Sequence, residues 1–531
     1  MKRVFFLSAF LILALVSCKK ENERPQWEVQ MVGPLMHATL GVGNFIADSI
    51  IRPDSSHAIN LVYEDVLYNT TIDSLFQIPD TTIPTVFIFP LSSFVLGPNA
   101  PFYSSNNNLQ LNVSGAALRE VIIKSGFLHV EAFNRMQTKV IYTYTIPKAT
   151  LNGHPFQVSV TMNAAAPGGS TYYSGLYDMS GYKIDLTGVN GDKVNTISYT
   201  ISARTDTNSA PTTVYLGDTL VNILASLQDI VPYYAKGYLG QTVIDDGQTS
   251  TQISPFAAIQ SGTIRLQDVS MKFTIENSIG VDAQALIRNL QSYNSRTNTL
   301  VDLTAPQLVN HTLNINRATE SGNPQHPVNP TNYEVLLDNT NSNIKSFIEN
   351  LPDRLNYSMK LNVNPMGNIS GSNDFVYSDY LVKAKIRIDM PLAFASDHLT
   401  FADTSALVIG HKDDYDPVGS GTFTLIADNG FPFEADIHLV LLDENNQFVD
   451  SLPVSGKIAA APVDANYKVI APARTKIPVY VDEARKQRIL NAPYISVRAS
   501  FTTPDYPQYI QIYSDYKLDL KLVADATYLI H

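Results

Sequence analysis

Apolar and polar residues alternate along much of the chain. From Val382 to Met390 the apolar and charged residues separate completely with a period of two, and in Lys139–Ile146 every residue after the lysine is β-branched or aromatic. Such alternation is typical of a strand with one buried face, because a helix would distribute the charges around its axis. The pattern predicts an all-β protein of antiparallel strands.

Turns and a few helices interrupt the predicted strands. Asn152-Gly153 and Asn190-Gly191 are typical of hairpin turns. Three short segments have apolar residues at helical spacing, and they are Asp218–Ile230, Asn341–Asn350 and Asp482–Leu490. A proline follows each of the last two, where a helix would end. We therefore expect a few short helices among the strands.

Three stretches of the chain resemble one another. Each reads aliphatic, any residue, Ser, Gly, any residue, apolar, any residue, aliphatic, and they cover Ile123–Val130, Ile259–Leu266 and Val418–Leu425. Glycine permits the sharp backbone bend of a turn. We expect a turn that leads into an equivalent strand at each of them, with the bend at Gly126, Gly262 and Gly421.

A second similarity concerns two tyrosine-rich segments. Tyr377-Ser-Asp-Tyr380 and Tyr513-Ser-Asp-Tyr516 each precede an alternating stretch, and the apolar residues of both stretches have the same phase. Ile386 and Leu522 should therefore be buried, while Lys385 should be exposed. Similarity at a repeated interval indicates internal duplication, and this interval suits a sandwich-sized domain. The prediction is a set of tandem antiparallel β-sandwich-like domains.

The beginning of the chain has the parts of a secretory signal. Met1-Lys2-Arg3 is basic, Val4–Val16 is an uncharged apolar run, and the small residue Ser17 follows. Such a run is too short to remain in a bilayer as a spanning helix. We predict that residues 1–17 are a cleaved signal peptide.

The only cysteine of the chain stands directly after this segment. Leu15-Val16-Ser17-Cys18 resembles the bacterial lipobox. The resemblance implies that the Cys18 thiol receives a diacylglycerol, that signal peptidase II cuts before it, and that the new amine is acylated, for example with palmitate. The acyl chains would then attach the protein to a membrane. An ordinary signal peptide followed by an incidental cysteine is the alternative.

A charged segment that ends at Pro25 follows the cysteine and is typical of a solvated tether. Lys19, Lys20 and Glu21 resemble the lysine-plus-acidic export signal of surface lipoproteins of Bacteroidota, although Asn22 interrupts the acids that are adjacent in that pattern. The resemblance implies a lipid-anchored protein of the outer membrane, with the cell surface preferred over the periplasmic face.

The net charge of the chain disfavours one class of partner, and its length allows several domains. Hydrophobic residues make up 44% of the chain and charged residues 16%, so it can bury cores. The formal net charge is −12, and loss of residues 1–17 removes Lys2 and Arg3 but no acid, which gives −14. This acidity disfavours nucleic acid as a partner. We divide the chain into a signal peptide (1–17), a lipidated tether (18–30), an N-terminal β region with the first repeat (31–230), a second β unit (231–390) and a C-terminal β unit (391–531).

One further resemblance lies in the last of these units. Leu425–Leu452 reads as a strand, an Asn-Gly break, and another strand. This order resembles the late-embryogenesis (water-stress) type of β-sandwich, and the resemblance implies a fold but no activity.

Residue patterns that carry chemistry are few. The sequence has no Gly-x-Ser-x-Gly elbow, His-Glu-x-x-His pair, Walker loop or dinucleotide fingerprint. Asp413, Asp414 and Asp416 could supply oxygen ligands to Ca²⁺, but they lack the glycine and terminal glutamate of an EF-hand loop, so a solvated acidic loop is the favoured interpretation. We expect no cofactor, no metal and no enzymatic activity, while a serine–histidine site assembled in space stays open.

Tyrosines cluster after the flexible segment Ala166–Gly169. They could form a sugar-stacking platform or a protein-binding surface, or they could be core and edge-strand residues. The four tyrosines are Tyr172, Tyr173, Tyr177 and Tyr182.

These patterns predict a lipid-anchored cell-envelope protein with a non-enzymatic binding or structural role at the bacterial outer membrane. Its partner, a protein, a glycan or an apolar ligand, stays open. The alternative is a carrier or bridge for lipid or another apolar ligand, which requires a continuous apolar groove. A hydrolase of surface glycans is the third hypothesis, and it requires two carboxylates in a cleft.

Overall fold

The structure is a computed structural model that describes residues 27–44, 46–72, 75–407, 415–417, 422–504 and 508–530. Most of the described residues lie in β-strands, few lie in helices, and every ladder between two strands is antiparallel, which confirms the predicted all-β class. The strands up to residue 238 are β1 (Trp27–Gly41), β2 (Ile51–Pro53), β3 (Ile59–Asn69), β4 (Thr81–Ile88), β5 (Ser93–Leu96), β6 (Pro101–Gln110), β7 (Ala117–Asn134), β8 (Val140–Leu151), β9 (His154–Met162), β10 (Thr171–Asp178), β11 (Lys183–Asp185), β12 (Thr196–Thr205), β13 (Thr212–Tyr215) and β14 (Thr219–Tyr238).

The remaining strands lie between residues 242 and 530. They are β15 (Thr242–Asp245), β16 (Thr249–Gln252), β17 (Ser261–Leu266), β18 (Ser270–Asn277), β19 (Ala283–Asn294), β20 (Thr299–Asp302), β21 (Thr312–Ile315), β22 (Thr319–Asn323), β23 (His326–Asn329), β24 (Thr331–Leu337), β25 (Arg354–Val363), β26 (Asp374–Tyr377), β27 (Val382–Pro391), β28 (Ala393–Ala406), β29 (Tyr415–Pro417), β30 (Thr422–Asn429), β31 (Glu434–Leu442), β32 (Phe448–Leu452), β33 (Lys457–Ile458), β34 (Ala473–Val479), β35 (Tyr494–Thr502), β36 (Ile510–Gln511) and β37 (Lys517–Ile530).

Two of the three predicted helices form. They are α1 (Ile344–Glu349) and α2 (Glu483–Leu490), and the Asp482 carboxylate caps α2 by accepting the Arg485 N–H at 2.8 Å. Two short 3₁₀ turns, Val42–Asn44 and Asp48–Ile50, complete the helical elements of the described chain. None of these helices has the length and apolar character needed to cross a bilayer.

The prediction of a third helix at Asp218–Ile230 is wrong, because all of these residues except Asp218 lie in β14. Leu220, Ile223 and Leu227 have helical spacing in the sequence, but burial along the strand alternates and Leu224 points outward. Pairing with β4 on one side and β7 on the other satisfies the backbone of β14, and this tertiary context overrides the local pattern.

The same four-stranded sheet occurs three times. Its strand order is β4-β14-β7-β10 in unit 1, β3-β27-β18-β24 in unit 2 and β1-β37-β30-β34 in unit 3. A second sheet in each unit has the corresponding orders β9-β8-β12-β6, β20-β19-β25-β15 and β32-β31-β35-β28. The structure is therefore a series of three sandwich-like units with one shared topology.

A buried asparagine marks the equivalent position in each unit. Asn429 at the end of β30 donates to the carbonyl oxygens of Phe433 and Ala459 and accepts the N–H of Phe431. Asn134 at the end of β7 and Asn277 at the end of β18 make the same three bonds, each to residues two and four positions ahead and to a third, more distant carbonyl. This common pattern fixes the register of the repeat.

That register corrects the repeat inferred from glycines. Gly126 lies inside β7 with φ +147° opposite a bulge of β14, rather than at the start of a strand. Gly262 lies in β17, which pairs with β28 of unit 3. β17 is therefore not the strand that corresponds to β7. Gly421 is outside the described residues. The two Tyr-Ser-Asp-Tyr segments are equivalent, since each closes a turn in front of β27 or β37.

The predicted phase of these two strands is confirmed. Ile386 is 1% exposed and Leu522 is fully buried, whereas the Lys385 side chain is 38% exposed. Val382–Met390 coincides with β27, and Asn152-Gly153 forms the predicted hairpin between β8 and β9. Asn190-Gly191 also turns the chain, but β11 and β12 on either side of it do not form a ladder with each other.

Strand pairing crosses the contiguous sequence blocks. β1 pairs with β37 at the other end of the chain, and β3 pairs with β27, so the first strands of units 3 and 2 come from the N-terminal region. The chain thus passes through unit 3, unit 2 and unit 1 in turn, completes unit 1, and returns to complete units 2 and 3.

The units follow one another end to end. Gly41 pairs with Lys517 where unit 3 meets unit 2, and the N–H of Ile59 there donates to the carbonyl of Ile512 at 3.0 Å. At the junction of units 2 and 1, the N–H of Val382 donates to the Thr70 hydroxyl at 3.0 Å. Trp27 and the end of β4 therefore lie at opposite ends of the series, and we call the end of each unit farther from Trp27 its tether-distal end.

Candidate binding face

The outward side of the β4-β14-β7-β10 sheet in unit 1 is the candidate site. The register places alternate residues of the four strands in rows, for example Leu224 beside Pro84 and Glu131, and Glu131 beside Ser174. With strands about 4.8 Å apart and same-side residues about 7 Å apart, the surface measures roughly 15 by 20 Å. We call it the aromatic face, and its side chains are Thr82, Pro84, Val86, Ile88, Asn222, Leu224, Ser226, Gln228, Phe127, His129, Glu131, Phe133, Tyr172, Ser174, Leu176 and Asp178.

Apolar side chains on this face are open to solvent. Val86, Ile88, Tyr172 and Leu176 are each 55–56% exposed, on the two outer strands of the sheet. The outward side of an antiparallel sheet is ordinarily polar. Exposed apolar side chains that share one sheet surface with polar groups are a feature of interaction sites.

Aromatic and polar groups are held in fixed positions on the face. The rings of Phe133 and Tyr172 lie 5.0 Å apart, and the Tyr172 hydroxyl donates to the Glu131 carboxylate. This bond raises the pKa of Tyr172, because the neutral phenol is the form that donates. His129 Nε2 and Ser174 Oγ are 2.8 Å apart. The face therefore combines flat apolar area with ordered hydrogen-bonding groups.

The equivalent faces of units 2 and 3 have a different chemistry. Relative to the buried asparagines, Phe133 corresponds to Glu276 and Asp428. Glu276 pairs with Lys385 at 2.5 Å, and Asp428 pairs with Arg474 at 2.6 Å. Tyr172, which lies opposite Phe133, corresponds in the same way to Arg474 opposite Asp428. Unit 1 thus has a ring pair where unit 3 has an ion pair.

The other three predicted tyrosines lie on the inner side. Tyr173, Tyr177 and Tyr182 are half-buried, and the rings of Tyr177 and Tyr182 contact Phe156 edge-on at 6.4 and 5.4 Å. The hydroxyls of Tyr173 and Tyr177 are 2.6 Å apart, and burial raises the pKa of Tyr177 to about 12. The structure therefore brings only Tyr172 of the predicted cluster to the candidate face.

The other predicted site residues do not form a site in the described part of the chain. Cys18, Lys19, Lys20 and Glu21 lie outside the described residues, as do Asp413 and Asp414. Asp416 lies in β29, whose backbone pairs with β37. Within the ranges that the structure covers, no group of three or more His, Cys, Asp or Glu side chains could hold a metal ion.

Cavities elsewhere bear on the carrier and hydrolase hypotheses. One small apolar cavity lies in unit 1, and a second is lined by Phe394 and neighbouring aromatic side chains of unit 3. Each has a volume of about 10 Å³, which is far too small for an acyl chain. Two open clefts of about 590 and 380 Å³ are partly polar, and the lining of each contains one carboxylate, Glu64 or Asp436. Arg387 binds the Glu64 carboxylate at 2.6 Å.

Sequence reasoning missed most of the face. Phe133 lies two strands away from Val86 in the sheet, with β14 between them, and no spacing along the chain connects them. A usable signal was the run Val86-Phe-Ile-Phe89, because consecutive apolar residues indicate a strand that is apolar on both sides. A second was the 38 residues from Thr81 to Leu118, which contain no charged side chain.

Comparisons with known proteins give little further information. No family model and no curated protein matches the chain. It is similar to a protein from Parabacteroides distasonis that is inferred to be secreted, with 13% identity and a TM-score of 0.26 over 55% of this chain and 91% of that one. Two structures of the VP2 protein of infectious bursal disease virus align at 8% and 9% identity with TM-scores of 0.12 and 0.11, over 87% and 90% of this chain and 80% and 83% of theirs. TM-scores this low do not establish a common fold, so these likenesses carry no argument about function.

Proposed function

We propose that this protein is a lipid-anchored, non-enzymatic binding protein of the bacterial cell envelope. Acyl chains on Cys18 hold it to the outer membrane, and the aromatic face of unit 1 binds a macromolecular partner at the cell surface. The observation that carries the binding role is that unit 1 has a ring pair, half-buried Phe133 and exposed Tyr172, at the position where the equivalent residues of units 2 and 3 form ion pairs.

The order of the units supports this role. The tether would leave the structure at Trp27 in unit 3, and unit 1 lies at the other end of the series. β1, β3 and β4 lead from one end to the other, and strands of 15, 11 and 8 residues cover on the order of 100 Å at about 3.3 Å per residue. Units 2 and 3 would then act as a spacer that carries unit 1 away from its membrane.

The anchor is tested by removing the thiol. Cys18→Ala should abolish partition into detergent and incorporation of labelled palmitate, because lipidation requires the sulfur atom. A variant that still partitions with membranes at the wild-type level would place the anchor elsewhere.

The binding face is tested by giving unit 1 the ion pair of unit 3. Phe133→Asp combined with Tyr172→Arg reproduces the Asp428–Arg474 pair, so it should leave the fold intact. We expect a roughly ten-fold or greater loss of affinity for envelope polysaccharide or envelope protein fractions, measured by biolayer interferometry.

Leu336→Ser provides the matched control, since Leu336 is 60% exposed on β24, the equivalent edge strand of unit 2. The control should bind as the wild type does. Equal binding by the wild type and the double variant, or failure of the wild type to bind either fraction, would refute the binding role of this face.

A further inference from the structure

An open cleft lies at the edge of the β3-β27-β18-β24 sheet of unit 2, close to the junction with unit 3. Its volume of about 590 Å³ is within the range of ligand sites. One wall is the outer edge of β3 at Val62–Glu64, and the other walls are the 3₁₀ turn before β2 and the loop at Ser254 and Pro255. We call it the β3 cleft, and it is separate from the aromatic face of unit 1.

Hydrogen bonding along β3 alternates between its two edges. The N–H of Leu392 donates to the carbonyl of Ile59, and the ladder with β27 continues in the same register as far as position 65 of β3. Because only every second residue of an antiparallel strand bonds a given neighbour, the odd-numbered residues of β3 bond β27. Pro391, which has no N–H, lies opposite an even-numbered residue, where none is required. The main-chain N–H and C=O groups of Val62 and Glu64 therefore point away from β27 and into the β3 cleft.

β2 pairs with only the first part of this edge. Its three residues lie opposite positions 59–61 of β3. The chain before β2 turns away as the 3₁₀ turn Asp48–Ile50, in which the N–H of Ile50 donates to the carbonyl of Ala47 at 3.1 Å instead of facing Val62. Among the residues that the structure describes, none forms a hydrogen bond with the main chain of Val62 or Glu64 on this edge. The β3 cleft thus occupies the position of a strand that stops short.

Charged and apolar side chains both line the β3 cleft. Arg387 donates to the carboxylates of Glu64 at 2.6 Å and of Asp389 at 2.8 Å, so its charge is compensated. Arg52 is exposed and donates to the carbonyl of Ile51, and no ion pair of the described residues includes it. An acidic group on a ligand would therefore find its partner at Arg52. The apolar part of the lining comes from Ile50, Val62 and Pro255.

We propose that the β3 cleft binds an extended peptide segment of a partner protein, which continues the line of β2 and pairs antiparallel with the free edge of β3. A peptide backbone presents N–H and C=O groups at the spacing of those of Val62 and Glu64, roughly 7 Å. A saccharide or an acyl chain has no such regular row of donors and acceptors. A residue opposite Val62 would point to the same side of the sheet as Arg52, two positions along, so an acidic residue is favoured there.

A short alternating peptide is the probe. Fluorescein-labelled Thr-Val-Glu-Val-Thr amide should bind saturably, with its Glu opposite Val62, to the chain from residue 19, which keeps every described strand because the first begins at Trp27. Fluorescence anisotropy measures the affinity. N-methylation of the Glu and of the last Thr removes the N–H groups that face β3 and should weaken binding roughly ten-fold or more. N-methylation of both valines is the matched control and should have little effect, because those N–H groups point away from β3.

Variants of the chain test the same contact independently. Val62→Pro removes the N–H that faces the β3 cleft and leaves the ladder with β27 intact, since proline is tolerated on an edge strand in this orientation. It should weaken binding roughly ten-fold, whereas Val62→Thr keeps the N–H and should bind as the wild type does. Arg52→Glu should weaken binding of this peptide and strengthen binding of the peptide with Lys in place of Glu. Circular dichroism checks that each variant is folded.

Several results would overturn the proposal. Failure of the unmodified peptide to bind saturably would exclude this kind of site, and equal affinities of the two N-methylated peptides would exclude main-chain pairing. Unchanged binding by folded Val62→Pro, or by both peptides to Arg52→Glu, would place the peptide elsewhere. Displacement of the peptide by an envelope polysaccharide fraction would assign the cleft to a glycan. Because none of these measurements uses Phe133 or Tyr172, they can fail while the proposed binding face survives.

Discussion

Alanine at position 429 should destabilise the tether-distal end of unit 3. Asn429 is fully buried, donates to the carbonyl oxygens of Phe433 at 2.8 Å and Ala459 at 2.9 Å, and accepts the N–H of Phe431 at 2.9 Å. Alanine can make none of these bonds and leaves two buried backbone groups, the Phe433 carbonyl and the Phe431 N–H, without partners, while the part-buried Ala459 carbonyl can turn to water. Each buried group costs about 1–3 kcal/mol, so unit 3 should lose about 2–6 kcal/mol.

The assay has to resolve single units, because a chain of three units need not unfold in one transition. Hydrogen exchange measured on peptides from β30 and β31 should accelerate in Asn429→Ala, while peptides from β7 and β8 in unit 1 keep their protection. Asn277→Ala should shift the effect to β18 and β19. The exposed residue Asn332 offers the control, since Asn332→Ala should change exchange in neither unit.

Aspartate at the same position separates the contributions of donor and acceptor. Asn429→Asp keeps the acceptor but loses both donors, and it faces two carbonyl oxygens in a buried site. The pKa of the new carboxyl in the folded protein should therefore be raised. The folding stability of the Asn429→Asp variant should be greatest below the unfolded pKa of about 4 and should fall as the pH rises. Asn429→Ala should show no such pH dependence. Unaltered exchange in both variants would refute the structural role of this asparagine.

Three further predictions follow from the same structure. Ile386→Ala should cost about 2–5 kcal/mol by emptying a core position, whereas Lys385→Ala should stay within about 1 kcal/mol because its ion pair with Glu276 is only partly buried; urea unfolding measures both. Burial raises the pKa of Tyr516 to about 12, so its contribution to stability should be lost as the pH rises from about 10 to 12, and Tyr516→Phe should remove that component of the alkaline absorbance titration. Lys20→Ala with Glu21→Ala should leave lipidation intact but abolish protease accessibility on whole cells, and unchanged accessibility would contradict a surface-export signal.

Alternation predicted the class of fold because it depends on local geometry. The residues of β27 alternate between core and solvent, and the sequence shows this directly. The helix predicted at Asp218–Ile230 was wrong because the local pattern there is ambiguous. Apolar residues at positions 220, 223, 224 and 227 suit a helix as well as a strand that is apolar on both sides. Only the pairing of β14 with β4 and β7 decides between them.

The repeat was detectable, but its register was not. Gly126 and Gly421 each stand eight residues before Asn134 and Asn429, whereas Gly262 stands fifteen residues before Asn277, so the glycine motif does not keep the register of the asparagines. The asparagines themselves give no signal in the sequence, because their flanking residues differ and their third partner is 29 to 39 residues away. A short motif that closes a long loop becomes visible only when the strands are placed.

Separate inner and outer sides explain how one scaffold can hold different surfaces. Along β7 the inward residues fill the core of unit 1, and the outward residues can change without altering that core, because successive side chains point to opposite sides. Phe133, Glu276 and Asp428 show the result: three outward residues next to three equivalent asparagines, with one aromatic and two charged. Ion pairs on units 2 and 3 keep their faces soluble, which is sufficient for a spacer. The unit farthest from the tether carries the aromatic face, and this placement follows if contact with the partner of this face is possible only at the end that extends away from the anchoring membrane.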